Sequence, residues 1–280
     1  MKIVTWNCNG KFREKLERIT DDKFEYTYLD EVDIYVIQEC EDPKKEGKEY
    51  EKYHEFAGIE GEDYFWVGDG RGDKGLGIFR NKDKKESITL KRIKVNGNYR
   101  HFIAVEVNKS FNLLAVWAME FDKNKKRDPY VEMIHDFVDE NPDLFNKKLI
   151  MCGDFNSSAV FDEEHTYVYK HKDKDGYNKH HTNLDRKLNE LYGLYSVYHN
   201  VSGEENGEET QFTFFQSRHL NEPFHLDYVY ANKKIIKDTT LAKNGEKLNE
   251  DLPNKFEILD FWHWVCLSDH LPLVFELNEK

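Results

Sequence analysis

Short apolar runs, several alternating with polar positions, recur along the whole chain. They fall at Ile3–Trp6, Ile34–Ile37, Tyr64–Val67, Leu76–Phe79, Phe102–Val107, Leu113–Trp117, Leu149–Cys152, Phe212–Phe215, Leu226–Tyr230, Phe261–Leu267 and Pro272–Leu277. Each predicts a β-strand, because side chains one residue apart on a strand face opposite sides. Three segments repeat apolar residues at steps of three and four instead, and predict helices over 13–29, 129–140 and 182–194. Asp128 suits the cap of the second helix and Pro129 its first turn. Strands interspersed with helices predict an α/β layered fold with two sheets. No internal repeat, low-complexity tract or Pro/Ser-rich linker interrupts the chain, so one domain over residues 1–280 is expected.

Four of the runs end in polar side chains of one kind. "KIVTWNCNG" ends in Asn7 and Asn9, "DIYVIQEC" in Glu39, "LIMCGDFN" in Asp154 and Asn156, and "FWHWVCLSDH" in Asp269 and His270. Asp and Asn are good turn residues, which explains each tip singly. A single site assembled from strand ends explains their shared composition, and layered α/β folds keep their sites there.

The chemistry of the set suits a hard divalent cation, Mg²⁺ or Mn²⁺, which takes oxygen ligands from one or two carboxylates, water and substrate phosphate. Glu39 is the first candidate ligand, with Asn9 and Asp269 assisting. Such a cation polarises a phosphoryl oxygen. Asp154 then orients or deprotonates an attacking water, kept ionised by the cation, and Asn156 donates a hydrogen bond to a phosphate oxygen. His270 needs an orienting partner to fix its tautomer. Asp227 in "FHLDYVYAN" is the candidate: strand alternation sets it on one face with His225 and Val229, opposite Leu226, Tyr228 and Tyr230. The plainer reading of Asp227 is a carboxylate paired with a surface Lys or Arg.

Taken together, "TWNCNG", "VIQEC", "GDFNSS", "FTFFQSRHLNEPFHLDYVYA" and "SDHLPLVFEL", in that order, resemble the motifs of the endonuclease/exonuclease/phosphatase superfamily, and "KGLGIF" resembles its central strand. The resemblance implies a four-layer α/β sandwich, two mixed or mostly antiparallel sheets flanked by helices, that performs metal-dependent phosphoester hydrolysis. It implies the roles given above for Asn7, Asn9, Glu39, Asp154, Asn156, Asp227, Asp269 and His270. The chain also departs from the family. Trp117 stands where a Tyr or His usually contacts the scissile phosphate, and an indole can donate one hydrogen bond but neither accept nor titrate. Glu120 stands near an expected Asn, and His225 replaces an Arg before the candidate dyad. Phe214 and Phe224 match aromatics that flank a sugar pocket in exonuclease III-type enzymes, although strand aromatics ordinarily pack inward.

Charge and composition narrow this picture. The net charge of −13 is unlike that of a domain held to nucleic acid by phosphate attraction alone. Bound cations can reverse the local field, so a phosphodiester substrate is not excluded. Basic runs at Lys82–Lys85, Lys91–Lys94 and Lys123–Arg127 read as solvated turns or strand edges. The four cysteines form no C-x-x-C pair and read as buried strand-end residues in preference to a zinc site. No run approaches the length of a membrane span, and Met1 leads directly into "KIVTW" without a leader pattern, so a cytoplasmic monomer is expected. The leading reading is a nuclease acting on DNA. The alternatives are a phosphomonoesterase or phosphodiesterase of a small soluble or lipid ester, and an inactive binding protein on the same scaffold.

Overall fold

A computed structural model describes residues 1–19, 32–68, 74–119, 130–162, 172–174, 176, 178–232, 235, 240–241, 255–259 and 261–277. Among the described residues fifteen strands form two large sheets and one small ribbon. In spatial order the first sheet is β13 (Thr240–Leu241), β14 (Lys255–Ile258), β15 (Leu273–Glu276), β1 (Lys2–Asn7), β2 (Ile34–Cys40), β4 (Gly75–Arg80) and β3 (Tyr64–Gly68). The second is β5 (Leu90–Arg92), β6 (Phe102–Val107), β7 (Phe111–Trp117), β8 (Leu149–Asp154), β12 (Asp227–Asn232) and β9 (Leu194–Ser196). Both are mixed: β1 runs parallel to β2 and β7 parallel to β8, while most other neighbours are antiparallel. The ribbon joins β10 (Phe214–Phe215) to β11 (Pro223–Phe224).

Strand alternation makes the layers. In the second sheet Leu113, Ala115, Trp117, Ile150, Cys152 and Val229 pack toward the first sheet, in one core with Ile34, Val36 and Ile78. The intervening Leu114, Val116, Leu149, Met151, Tyr228 and Tyr230 face the other way. There they meet Ile134 and Phe137 of α3 (Val131–Glu140), Phe145 of α4 (Pro142–Phe145) and Leu188 of α5 (His181–Tyr192). Over the first sheet, Phe12 of α1 (Phe12–Ile19) and Tyr53 of α2 (Glu51–Ala57) stack around Phe79. The result is helix, sheet, sheet, helix, the sandwich expected from the sequence.

Ten of the eleven predicted strands lie on or beside observed strands. The exception is Phe261–Leu267, where a one-turn helix, α7 (Phe261–Trp264), is followed by a turn. A strand would put Trp262 and Trp264 on one face, yet Trp262 is 71% exposed and Trp264 fully buried against Trp6. The helix predicted over 182–194 stops at Tyr192 because Gly193 takes a left-handed backbone, φ 60°, and closes it. Asp128, Pro129, residues 20–29 and the basic run Lys123–Arg127 lie outside the described residues. Lys91 forms part of an exposed strand, β5, and Lys82–Lys84 a short exposed turn of helix. The short α2 and α6 (Val197–Ser202) were not legible as separate periodic segments. Among the described residues no helix is long and apolar enough to cross a membrane.

Candidate active site

The ends of β1 and β8 bring the two sheets together. β1 delivers Asn7, 1% exposed, and its amide Nδ2 donates to Asp154 Oδ2 at 2.8 Å and to Glu39 Oε1 at 3.2 Å. Asn7 Oδ1 accepts from the backbone N–H of Asn9, whose own amide donates to Asp269 Oδ1 at 2.9 Å. Ser268 Oγ donates to the Asn7 carbonyl and accepts from the His270 N–H, so the turn after α7 is tied to β1.

Asp154 is fully buried at the end of β8. Gly153 before it has φ +141°, and a Cβ there would lie 1.8 Å from the Val116 carbonyl oxygen, so only glycine lets β8 pass β7 this closely. Asp154 accepts the Asn156 backbone N–H and side-chain amide, at 2.8 and 2.9 Å, besides the Asn7 amide. The Asn156 amide also donates to the Ala118 carbonyl at 2.7 Å. Both its hydrogens are therefore committed to holding Asp154 and the β7 end. In this arrangement Asn156 positions Asp154, and the expected bond to a substrate phosphate requires one of these two bonds to open.

Asp227 begins β12 directly opposite Asp154. It accepts from His270 Nδ1 at 2.8 Å, so the expected Asp227–His270 contact is present. Thr213 secures the pair from below, a role the sequence did not suggest. Its hydroxyl accepts the N–H groups of Leu226 and Asp227, and its carbonyl accepts the Leu271 N–H at 2.7 Å. Asp154, Asp227 and His270 have ligand atoms within 4.8 Å of one another, and they form the one His/Cys/Asp/Glu cluster of that kind among the described residues.

Burial and charge shape the titration of this cluster. Desolvation pushes the Asp154 carboxyl up, Asp227 adds to it, and His270 with the Asn7 hydrogen bond opposes it; the net value is about 7. Burial alone lowers His270, but the carboxylates of Asp227, Asp154 and Asp269 outweigh it and raise it to about 9. This upward shift belongs to the chain without a cation; the sequence reading assigns the ionisation of Asp154 at neutral pH to a bound cation.

Glu39, Asn9 and Asn156 have positive φ values of 61°, 52° and 47°. Non-glycine residues adopt this region at a cost, and here it turns three polar side chains toward one mouth. Glu39 achieves it through a bulge in β2 between Gln38 and Cys40. Its carboxylate pairs with the ammonium of Lys74, a residue the sequence reading passed over although it opens "KGLGIF". Glu39 and Asp269 with the Asn9 amide form an oxygen-rich set of the kind a hard divalent cation takes, and Lys74 offsets one of the two carboxylate charges.

The remaining predicted residues divide. Phe214 and Phe224 are half-buried, stack on each other and bring Phe214 to 4.7 Å from the His270 ring, so they border the site. Trp117, opposite Asp154 in register, is 2% exposed, and its indole N–H is buried without an acceptor. His225 is 2% exposed; Nδ1 bonds the Gln211 carbonyl and the ring packs on Tyr198 and Tyr228. It faces the interior, correcting its assignment to substrate, because β12 starts at Asp227 and alternation does not extend back to it. Glu120 lies outside the described residues. Cys8, Cys40 and Cys152 are buried as expected, Cys266 is exposed, and no cysteine joins the cluster described above.

No protein-family model matches the chain, and no curated protein matches it either. Solved structures do. An AP endonuclease from Archaeoglobus fulgidus superposes with a TM-score of 0.58 at 16% identity, over 100% of both chains. The 3'-5' exonuclease NExo from Neisseria meningitidis gives 0.58 at 18% identity, again over 100% of both. D. rerio TDP2 complexed with a single-strand DNA product gives 0.54 at 15% identity, over 100% of this chain and 99% of that one. With the two mixed sheets, the helical outer layers and the strand-end site in hand, these likenesses identify the architecture: the chain has the endonuclease/exonuclease/phosphatase fold.

Proposed function

We propose that the chain hydrolyses phosphodiester bonds, acts on DNA, and uses Mg²⁺ or Mn²⁺ held by Glu39 and Asp269 with help from Asn9. The observation that carries this reading is the Asn7 amide, which joins Glu39 to Asp154 beside the Asp227–His270 pair. One side chain thereby ties a cation seat to a buried carboxylate. The names of the structural neighbours, an AP endonuclease and a 3'-5' exonuclease among them, support a DNA phosphodiester as the substrate.

When bound, the cation supplies charge to a phosphoryl oxygen and to the leaving oxygen. The chain's residues do the rest. Asp154, oriented by three hydrogen bonds from Asn7 and Asn156, accepts the proton of an attacking water. Protonated His270, fixed by Asp227, donates to a phosphate oxygen and offsets its charge. The orphan indole N–H of Trp117 is a donor of matching chemistry for a second phosphate oxygen. Phe214 and Phe224 offer a face to a sugar or base.

Parallel assays on plasmid DNA, abasic duplex, RNA and soluble phosphoesters, with Mg²⁺, Mn²⁺ and chelator, test the reading. Chelator-sensitive cleavage of a DNA substrate is expected. Turnover of none of these substrates with either metal ends it. The net charge of −13 favours a second reading, a small phosphoester on the same site. A DNA-binding affinity that does not fall with salt selects that reading, since several phosphate contacts give a steep fall.

A further inference from the structure

Glu39 is turned out of β2 at the bulge, and its neighbour Cys40 pairs with Gly75, the first residue of β4. Lys74 therefore enters opposite Glu39 from the adjacent strand. Its ammonium pairs with Glu39 Oε2, while Oε1 takes the Asn7 amide. A Cβ built on Gly10, which has φ +73°, would lie 3.4 Å from Lys74 Cε, so the loop after β1 runs beside the stem. The Glu39 side chain is 17% exposed and that of Lys74 48%, which sets the pair at the mouth of the site. Lys15, the other lysine nearby, spends its ammonium on the backbone carbonyls of Cys8 and Asn9. Of the two, Lys74 alone forms an ion pair with the carboxylate.

We propose that Lys74 is a tethered counter-ion that occupies, on Glu39, the seat of the divalent cation, so that metal loading is a displacement of the ammonium. The inference rests on the cation reading of Glu39 given above. An ammonium and a divalent ion on the same carboxylate repel at close range, and the oxygen that accepts from Lys74 is not open to a metal. Displacement keeps Glu39 compensated in the metal-free chain, where Asp154 shares the Asn7 amide with Glu39 and Asp269 takes the Asn9 amide. It also weakens metal affinity by the worth of a partly exposed ion pair, about fivefold. The displaced ammonium stays tethered beside the site, where a phosphate is the natural acceptor for its charge.

Mn²⁺ titration calorimetry on the full chain at neutral pH tests this without an activity readout. Lys74→Met is expected to bind Mn²⁺ about fivefold more tightly than the parent chain. Lys74→Arg, which keeps the charge, is expected to stay near the parent. Lys44→Met removes an equal charge from the pair with Glu60 and is expected to change little. Glu39→Gln is expected to abolish the site, and adding Lys74→Met to it to restore nothing. Unchanged or weaker binding in Lys74→Met, with Glu39→Gln still abolishing the site, overturns the displacement and leaves the cation reading of Glu39 standing. Mn²⁺ binding that ignores Glu39→Gln overturns both.

Discussion

Asn7 of one sheet donates its side-chain amide to Asp154 of the other at 2.8 Å, and the same nitrogen reaches Glu39 at 3.2 Å. The two carboxylates given separate roles are thus spaced by a single residue that belongs to neither sheet's core. Asn7→Ala is expected to lower kcat on plasmid DNA by roughly a hundredfold, the scale of removing one preorganised donor. Near-parent turnover would show that the bridge is only structural.

Glu39→Ala and Asp154→Ala are each expected to abolish hydrolysis of a generic phosphodiester, while far-ultraviolet circular dichroism stays that of the parent. The two should separate in metal response. Calorimetry is expected to show Mn²⁺ binding lost in Glu39→Ala and retained in Asp154→Ala. Full activity in either variant removes its assignment.

The indole N–H of Trp117 has no acceptor in the substrate-free chain. Trp117→Phe keeps an apolar ring between the sheets and removes only that donor. A hydrogen bond to a charged group is worth about 1.5–3 kcal/mol, so kcat/KM should fall roughly ten- to a hundredfold with little change in melting temperature. An unchanged kcat/KM with a lowered melting temperature would assign Trp117 to packing.

Stability should decline as the metal-free chain is made alkaline. The His270 pKa is raised from 6.5 to about 9, so its contribution is complete below 6.5 and lost as pH rises through 9. The Asp154 pKa is raised from 3.8 to about 7, so its contribution is complete below 3.8 and lost as pH rises through 7. Both act in the same direction. Urea midpoints are expected to fall from pH 6 to pH 9.5 in the presence of chelator, and His270→Asn to flatten the upper part of that slope. A midpoint that rises over this range contradicts the charge arrangement of the cluster.

Gly153→Ala places a methyl where the Val116 carbonyl oxygen lies 1.8 Å away, in a backbone region that alanine disfavours. The strands must separate to admit it. A loss of about 2–4 kcal/mol in urea unfolding is expected, with activity falling because Asp154 moves with the strand. An unperturbed midpoint would mean that β8 can shift without cost.

Strand-and-helix order was legible in the sequence because alternation and three-to-four spacing are local properties of the chain. So was the convergence of Asn7, Glu39, Asp154, Asp269 and His270, since each closes an apolar run with a polar group of the same type. The pattern misled at Phe261–Leu267, where continuous aromatics fit a strand or a helix equally. Packing of Trp264 on Trp6, a contact over most of the chain length, chose the helix.

Tertiary structure alone decided how the site residues divide their work. The sequence offers Asn156 as a phosphate donor, while the fold sets its amide hydrogens on Ala118 and Asp154. His225 was readable as a neighbour of Asp227 until β12 was found to begin after it. Lys74 and Thr213 carried no local signal, because what matters is the partner each meets across another strand. Periodicity fixes which face a residue takes within its own element. Hydrogen-bond saturation and charge pairing depend on segments brought together from distant parts of the chain, and only the folded arrangement of the two sheets specifies those.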